Sequence, residues 1–466
     1  MYSAAARGWT LASDDMGVPT TGSVRWPVLI VAIGLVVVLG LRARPALGPV
    51  TAALLVFVTS TTFAFIDRSW PDFDFLGGVA IVGALLAILR AGAPLGIGVC
   101  ASLAFLAAGW PPLIAIGLCG WILRGHPTRR TLFSVLPVVA AVFAWSWWAL
   151  RDAGLEAWAA ALALPFTESP RWFFVLELIL QSLPWSPLAL LAVSPSIRAC
   201  WSRPGRRWVL GWVRILVVLT ILGTLIPGFA NAVRIPAIAA LAVISAASLA
   251  AVAISANRKA QSTFRAIALV IALPVAVVAT PLLIHVALAI AYYRPIAILL
   301  ACTTAAAGVA VLASILLWQP RHSIAALVLV AFALKGAHAG IFAPEWNYRV
   351  GQGPWGRAIG QWIPPRASLH TLVRWPDDLA FYMGRNVRLL RDATFLADSP
   401  ESPSRPHYVL LTESEFSNWP EYAPRLVVVR EFPDYISGVR VLARTANARE
   451  VAQADARGEL DDPLAR

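Results

Sequence analysis

The chain is 466 residues long and 59% hydrophobic, with a mean hydropathy of +0.71 and a net charge of +13. Apolar runs near the roughly 20 residues that cross a bilayer recur along its first three quarters, which excludes a soluble enzyme carrying one anchor. A spanning β-barrel is excluded too, because its segments are short and alternate in polarity.

The charge is unevenly spread. Residues 1–344 hold 23 Lys/Arg against 9 Asp/Glu, whereas residues 345–466 hold 15 against 16. The basicity therefore belongs to the apolar part, where it reads as topology and as attraction to anionic headgroups, about 1 kcal/mol per basic residue near the surface. No basic stretch forms a contiguous stripe, so nucleic acid is not expected as a partner. Cys100, Cys119, Cys200 and Cys302 show no CxxC spacing, which supports neither a zinc site nor a disulfide framework. Cys100, Cys119 and Cys302 are expected as small core residues.

In chain order the hydropathy predicts spans over 26–42, 48–66, 75–91, 95–108, 112–124, 131–150, 173–195, 208–227, 232–255, 264–290, 296–318 and 323–342. The fourth and fifth are short and meet at Gly109-Trp-Pro-Pro112, where two prolines favour a turn. Taken as a pair, they bring the basic loop Arg124-Gly-His-Pro-Thr-Arg129-Arg130 to the same side as Arg203-Pro-Gly-Arg206-Arg207 and Arg258-Lys259. All nine acids before residue 344 (Asp14, Asp15, Asp67, Asp72, Asp74, Asp152, Glu156, Glu168 and Glu177) then fall on the other side. Arginine-rich loops stay in the cytoplasm, so the acid-bearing face is expected outside. The N-terminus must then lie outside as well, although residues 1–25 contain no apolar run able to carry it across; a preceding helix is expected to be missing.

After residue 344 the pattern changes to short β-like runs at 368–374, 407–412, 425–432 and 438–443, with helix-like pieces near 377–383 and 413–418. The expected architecture is an all-α polytopic transmembrane bundle of about 12 spans followed by a small extracytoplasmic α/β domain. Its parts are a tail over 1–25, the bundle over 26–344, the outer domain over 345–445 and a frayed tail over 446–466.

The sharpest candidate for chemistry is Asp67-Arg68-Ser-Trp-Pro-Asp72-Phe-Asp74, three carboxylates and a guanidinium at the outer mouth of two spans. Carboxylates there suit deprotonation of a hydroxyl, and Arg68 suits bidentate binding of a phosphate. The competing reading is a solvated loop with an internal ion pair. A second candidate is Glu168-Ser-Pro-Arg171-Trp172 with Glu177 one turn into its span. Arg234, just after Gly228-Phe-Ala-Asn231, is by default an exposed anchor, but an outward arginine beside a cavity suits a phosphate. Lys335 and His338 share a helix face in the last span, near its outer end, where snorkelling lowers the roughly 2.5–3.5 kcal/mol cost of a central lysine. His285, alone in an apolar span, reads as a packed or hydrogen-bonded histidine. Trp346 and Tyr348 suit either the interface belt or a sugar platform. Outward carboxylates are compatible with a divalent cation, but no ligand spacing requires one. No Walker A, HExxH or GxSxG pattern occurs, and a donor that is itself a lipid explains an outward site without a nucleotide cradle.

The order of these motifs resembles the bacterial GT-C glycosyltransferases of the ArnT-like and protein-O-mannosyltransferase-like type. Arg68-Ser-Trp-Pro-Asp72-Phe-Asp74 is similar to the family's Arg-x-x-x-Pro-Asp stretch. Leu103-Ala-Phe-Leu-Ala-Ala-Gly109-Trp-Pro resembles its short-helix turn, with Ala108 in place of the turn lysine. Arg171-Trp-Phe-Phe and Leu183-Pro-Trp-Ser-Pro187 resemble its Arg-Pro-Trp-Tyr and Leu-Pro-Trp-Ser, and 381–385 its Phe-Tyr-x-Gly-Arg. The resemblance implies sugar transfer from a polyprenyl-phosphate donor to a lipid, glycan or protein acceptor on the outer face of the bacterial inner membrane. Asp72 and Asp74 are then expected at the acceptor hydroxyl; Arg68, Arg234 and Lys335 at the donor phosphate; Glu168, Arg171, Trp346 and Tyr348 at the substrate. The family's first helix and its acidic first loop have no counterpart here. That absence favours one rival, a catalytically inactive or truncated accessory protein; a lipid-glycan flippase is a second, separate alternative.

Overall fold

A helix that is apolar on every side belongs in the middle of a bundle, and the stretch Phe229–Ile254 has that character. In the computed structural model its central window is wholly buried. The structure describes residues 21–62, 73–89, 94–125, 133–167, 170–255, 257–345, 352–364, 367, 369–372, 383, 387–390, 392–396, 407–420, 422–434 and 438–446. The chain divides into two compact units, Met1–Ile341 and Phe342–Arg466.

The first unit is helical. Its elements are α1 (Thr21–Leu47), α2 (Pro49–Thr61), α3 (Phe73–Leu89), α4 (Pro94–Ala108), α5 (Trp110–Arg124), α6 (Val135–Thr167), α7 (Phe174–Gln181), α8 (Ser186–Ala189), α9 (Pro195–Ala199), α10 (Arg203–Leu225), α11 (Phe229–Ile254), α12 (Arg258–Pro274), α13 (Thr280–Ala289), α14 (Arg294–Leu316) and α15 (Pro320–Ala337). A π-helical segment, Val275–Ala279, joins α12 to α13. Each of the twelve expected apolar stretches falls on one or more of these helices. Among the described residues six helices are long and apolar enough to cross a membrane: Val28–Leu47, Arg203–Leu225, Phe229–Ala253, Arg258–Ala289, Ala291–Leu316 and Pro320–Glu345. The pair Phe174–Gln181 and Ser186–Val193, bent by 105°, makes a seventh if taken as one span. The remaining apolar helices are shorter.

Several boundaries have a plain chemical cause. The α4–α5 turn is made at Gly109, whose φ of 73° only glycine adopts without strain, and two prolines open the next helix, where a missing N–H costs nothing. The α7–α8 break falls at Leu183-Pro184, since proline has no N–H to continue α7. The turn that follows is pinned from inside. Trp185 is buried; its Nε1 donates to Thr61 Oγ1 at 2.8 Å, and its carbonyl accepts from Ser245 Oγ of α11 at 2.9 Å. Helix α6 runs on to Thr167, beyond the expected end at 150, with non-helical backbone at Gly154 (φ 82°).

Small residues set the closest helix contacts, as expected where lipid removes the hydrophobic drive between helices. Gly77 of α3 meets Ala104, Ala107 and Ala108 of α4, Gly223 of α10 meets the Phe174 ring, and Gly98 of α4 sits under the Ser134 carbonyl. The outward faces are apolar instead: Leu136, Val139, Phe143 and Trp147 of α6 are all exposed, as are Val277, Val278 and Leu288 near α13. Two expectations are corrected here. Cys302 is exposed and Cys100 half-buried, so only Cys119 is a core cysteine. His285 is exposed on α13 rather than packed, because α13 turns that face away from the bundle.

The second unit carries helix α16 (Gln352–Trp362), strands β1 (Leu369–Thr371), β2 (Val387–Leu389), β3 (Tyr408–Thr412), β4 (Leu426–Asp434) and β5 (Gly438–Thr445), and helix α17 (Glu413–Ser417). The sheet order is β2-β1-β3-β5-β4; β1 runs parallel to β2 and β3, while β5 is antiparallel to β3 and β4. Alternation gives the sheet two apolar faces. Leu369, Tyr408, Leu410 and Leu442 pack with Ile359 and Ile363, whereas Val409, Leu411, Val441 and Ala443 pack with Leu396 and Leu426. The four expected strands are present. The strand at 387–389 was not expected, because three residues flanked by arginines give too short an alternation to read. Thr412 and Glu415 close a capping box on α17. Apart from Met383, the expected helix near 377–383 lies outside the described residues.

A methyl group on Gly98 would fall on the backbone oxygen of Ser134, which cannot turn aside, whereas Gly96, two residues away on the same helix, faces open space. Gly98→Ala is expected to lower the thermal unfolding midpoint of the purified protein, by roughly 1–3 kcal/mol of stability. Gly96→Ala is expected to leave it unchanged or raise it slightly, since alanine is the better helix former by about 1 kcal/mol. Equal midpoints for the two variants would show that α4 does not pack on residue 134.

Candidate functional site

Polar side chains of the bundle gather where α2, α3, α7, α11 and α15 end or begin. Gly228, left-handed at φ 73°, turns the chain into α11. Three residues apart in that helix's opening turns, Asn231 and Arg234 share a face. Asn231 Oδ1 accepts two hydrogen bonds, from Arg171 Nη1 at 3.1 Å and from Arg234 Nη2 at 3.0 Å. Arg234 Nη2 also lies 3.5 Å from Glu177 Oε2 on α7. The default reading of Arg234 as an exposed anchor is thereby corrected: it is only 4% exposed, because Asn231 and Glu177 supply the acceptors that burial demands. Two guanidinium groups thus converge on one neutral amide beside one half-buried carboxylate. Planar, permanently charged forks held in this way suit a tetrahedral anion.

Lys335 forms a second cationic point. Its Nζ donates to the Thr62 carbonyl at 3.1 Å, immediately beyond α2. The neighbouring Thr61 holds Trp185, and Phe57, one turn earlier, packs against both Trp185 (5.8 Å) and Phe332 of α15 (5.4 Å). Lys335 is therefore fixed at the point where the chain leaves α2 for the segment bearing Arg68 and Asp72. At the other end of that segment Asp74 is the second residue of α3. Gly78, one turn on, packs so closely against Ile235 that an added Cβ would lie 2.7 Å from the Ile235 Cβ. The first turns of α3 and α11 consequently meet beside Arg234.

Of the residues singled out in the sequence, the structure brings Arg171 and Arg234 together through Asn231 and places Lys335 at Thr62. Arg68, Asp72, Glu168, Trp346, Tyr348 and the side chain of Asp74 lie outside the described residues. Asn231 was missed as a hub. The Gly228-Phe-Ala-Asn231 lead-in was visible, but nothing in a single sequence says that an asparagine will face two arginines from different elements. Gln181 and Ser182 were missed as well. Gln181 Oε1 and Ser182 Oγ are buried at the α7–α8 break with no hydrogen-bond partner among the described residues, so they offer polar capacity to a ligand or to water. Among the described residues no three His, Cys, Asp or Glu side chains stand close enough to hold a metal ion.

Neither a protein-family model nor a curated protein sequence matches the chain. Among solved structures it is similar to ArnT from Cupriavidus metallidurans in the apo state, with a TM-score of 0.68 and 15% identity over 94% of this chain and 86% of that one. It is likewise similar to the same protein bound to undecaprenyl phosphate, with a TM-score of 0.63 and 16% identity over 95% of this chain and 87% of that one. The chain has the fold of these ArnT structures.

Proposed function

We propose that the protein is a membrane glycosyltransferase that moves a sugar from a polyprenyl-phosphate donor to a lipid, glycan or protein acceptor on the outer face of the bacterial cytoplasmic membrane. The observation that carries this reading is the pair Arg171 and Arg234 held on Asn231, in a fold shared with a protein crystallised with undecaprenyl phosphate. In the proposed reaction Asp72 or Asp74 takes the proton of the acceptor hydroxyl. The freed oxygen attacks the anomeric carbon, the bond from that carbon to the phosphate oxygen breaks, and the polyprenyl phosphate departs with the electron pair. Arg68, Arg234 and Lys335 receive the charge that develops on that phosphate. Glu168, Arg171, Trp346 and Tyr348 line the sugar.

The arrangement suits an anion because the acceptor between the arginines is neutral. A carboxylate in its place would pair with both guanidinium groups and compete with the phosphate. The amide oxygen joins Arg171 to Arg234, and Glu177 pairs with Arg234 alone, so the two guanidinium groups are held together with one carboxylate beside them.

Full-length protein in liposomes, supplied with a polyprenyl-phosphate sugar and lipid or glycan acceptors, tests the proposal. Asp72→Asn is expected to lower kcat by about 10²–10⁴-fold, the usual contribution of a positioned base; unchanged turnover removes Asp72 from the chemistry, and then Asp74→Asn decides whether the second carboxylate is the base. Movement of the donor across the bilayer without transfer would favour the flippase instead.

Asn231→Asp keeps the shape and adds a negative charge between the two arginines. The donor KM is expected to rise about tenfold, equivalent to roughly 1.4 kcal/mol of lost anion binding, with kcat changed much less. A donor KM equal to that of the unaltered protein would show that the phosphate does not sit at this cluster.

A further inference from the structure

At the opposite end of α15 from Lys335 lies a second cationic site that transfer does not use. Pro320 opens that helix and Lys335 stands fifteen residues later, which at about 1.5 Å per residue sets the two roughly 22 Å apart along the axis. Beside Pro320 is a small, partly open cleft lined by Gln261, Arg265, Ser314, Trp318, Gln319 and Ser323. The Arg265 guanidinium lies flat against Trp318, 3.7 Å from the ring centroid, well inside the roughly 6 Å reach of a cation–π contact. Its Nε is buried and has no hydrogen-bond partner among the described residues. The rest of the cleft is already satisfied: the Ser314 and Ser323 hydroxyls bond to each other at 2.9 Å, and Gln261 Nε2 donates to the Ser255 carbonyl at 2.9 Å. Trp318 adopts φ 58°, a left-handed backbone that a bulky residue enters only under constraint.

The surroundings say what charge this arginine meets. Residues 178–344 contain no Asp or Glu, so no carboxylate of that stretch neutralises it. Arg258, Lys259 and Arg321 are exposed at the same end. Leu316 and Leu317, which precede Trp318 in the chain, are 74% and 67% exposed. A buried donor, a fixed cation and an apolar rim are what a phosphate carrying acyl chains needs, and basic pockets between helices recognise such headgroups.

We propose that the Arg265–Trp318 cleft binds the phosphate of an anionic glycerophospholipid, at the end of the bundle opposite the candidate transfer site. Native mass spectrometry of the full-length protein in detergent, with phosphatidylglycerol or phosphatidylcholine added at equal concentration, reads this directly. Phosphatidylglycerol adducts are expected to exceed phosphatidylcholine adducts about tenfold. Arg265→Gln is expected to reduce the phosphatidylglycerol adducts at least fivefold, while Arg214→Gln, which removes an exposed arginine from α10, leaves them unchanged. If Arg265→Gln does not yield monodisperse protein, Arg265→Lys carries the test, with an expected loss of about threefold because the planar fork is gone. Retention equal to the unaltered protein in whichever Arg265 variant is measured overturns the proposal. So does complete displacement of the lipid by equimolar inorganic phosphate, which would assign the cleft to a free anion.

Discussion

A guanidinium inside a helix bundle cannot shed its charge, so the protein must supply oxygen acceptors where it is buried. That demand organises the candidate site. Arg234 is buried at the start of α11, and its acceptors come from its own helix, as Asn231, and from α7, as Glu177. Asn231 in turn holds Arg171, which precedes α7. The two helices are thereby tied at their ends by a polar network. Breaking such a network from one side leaves a charge stranded, which is costlier than never having buried it. The acceptor at the centre is an amide, so Glu177 is the carboxylate that Arg234 meets in this network.

The same bundle shows how lipid changes the rules of packing. Apolar side chains gain little by leaving lipid for a helix interface, so tight approach comes from glycine and alanine, while tryptophan and phenylalanine fill gaps or face outward. Phe174 against Gly223 and Gly78 against Ile235 are of the first kind. The second of these matters because it sets α3, one turn after Asp74, against the residue that follows Arg234 in α11. Helix α11 is polar enough to bond Trp185 through Ser245 yet small enough to be surrounded, and it serves as the post against which α2, α3, α8 and α10 are set.

Much of this was legible in the residues. Each of the twelve apolar stretches falls on helix, although six described helices are long and apolar enough to cross a membrane, and alternation announced four of the five strands. The Pro-Pro turn at Gly109 followed from the missing proline N–H, whereas the 105° bend near Leu183-Pro184 falls inside a stretch expected as one span over 173–195. What could not be read was long-range pairing. Arg171 and Asn231 are sixty residues apart, and Lys335 and Thr62 are 273 apart; nothing local marks either pair. The hydropathy pattern also hid burial. His285 and Cys302 lie in apolar segments and were expected inside, yet both face outward, because these helices have no polar stripe to reveal which side meets lipid. Arg234 failed in the opposite direction, since a lone arginine in sequence looks like an anchor until its acceptors are seen.

The two ends of the molecule carry the same kind of charge in different settings, and the difference follows from helix direction and the distribution of acids. Every carboxylate of the first unit precedes residue 178. At the end of the bundle that holds Glu177, this half-buried carboxylate tempers Arg234. From α10 onward each return to the other end brings arginine or lysine alone: Arg203, Arg258, Lys259, Arg265 and Arg321. There Arg265 rests on an aromatic face, which steadies a cation without cancelling it. In the proposed transfer, the charge that develops on the phosphate meets cations already oriented by an amide, so little reorganisation remains to be done when it forms. At the other end a permanent anion would meet a cation in a fixed pose. One sequence asymmetry, acids early and none late, is sufficient to give the bundle both.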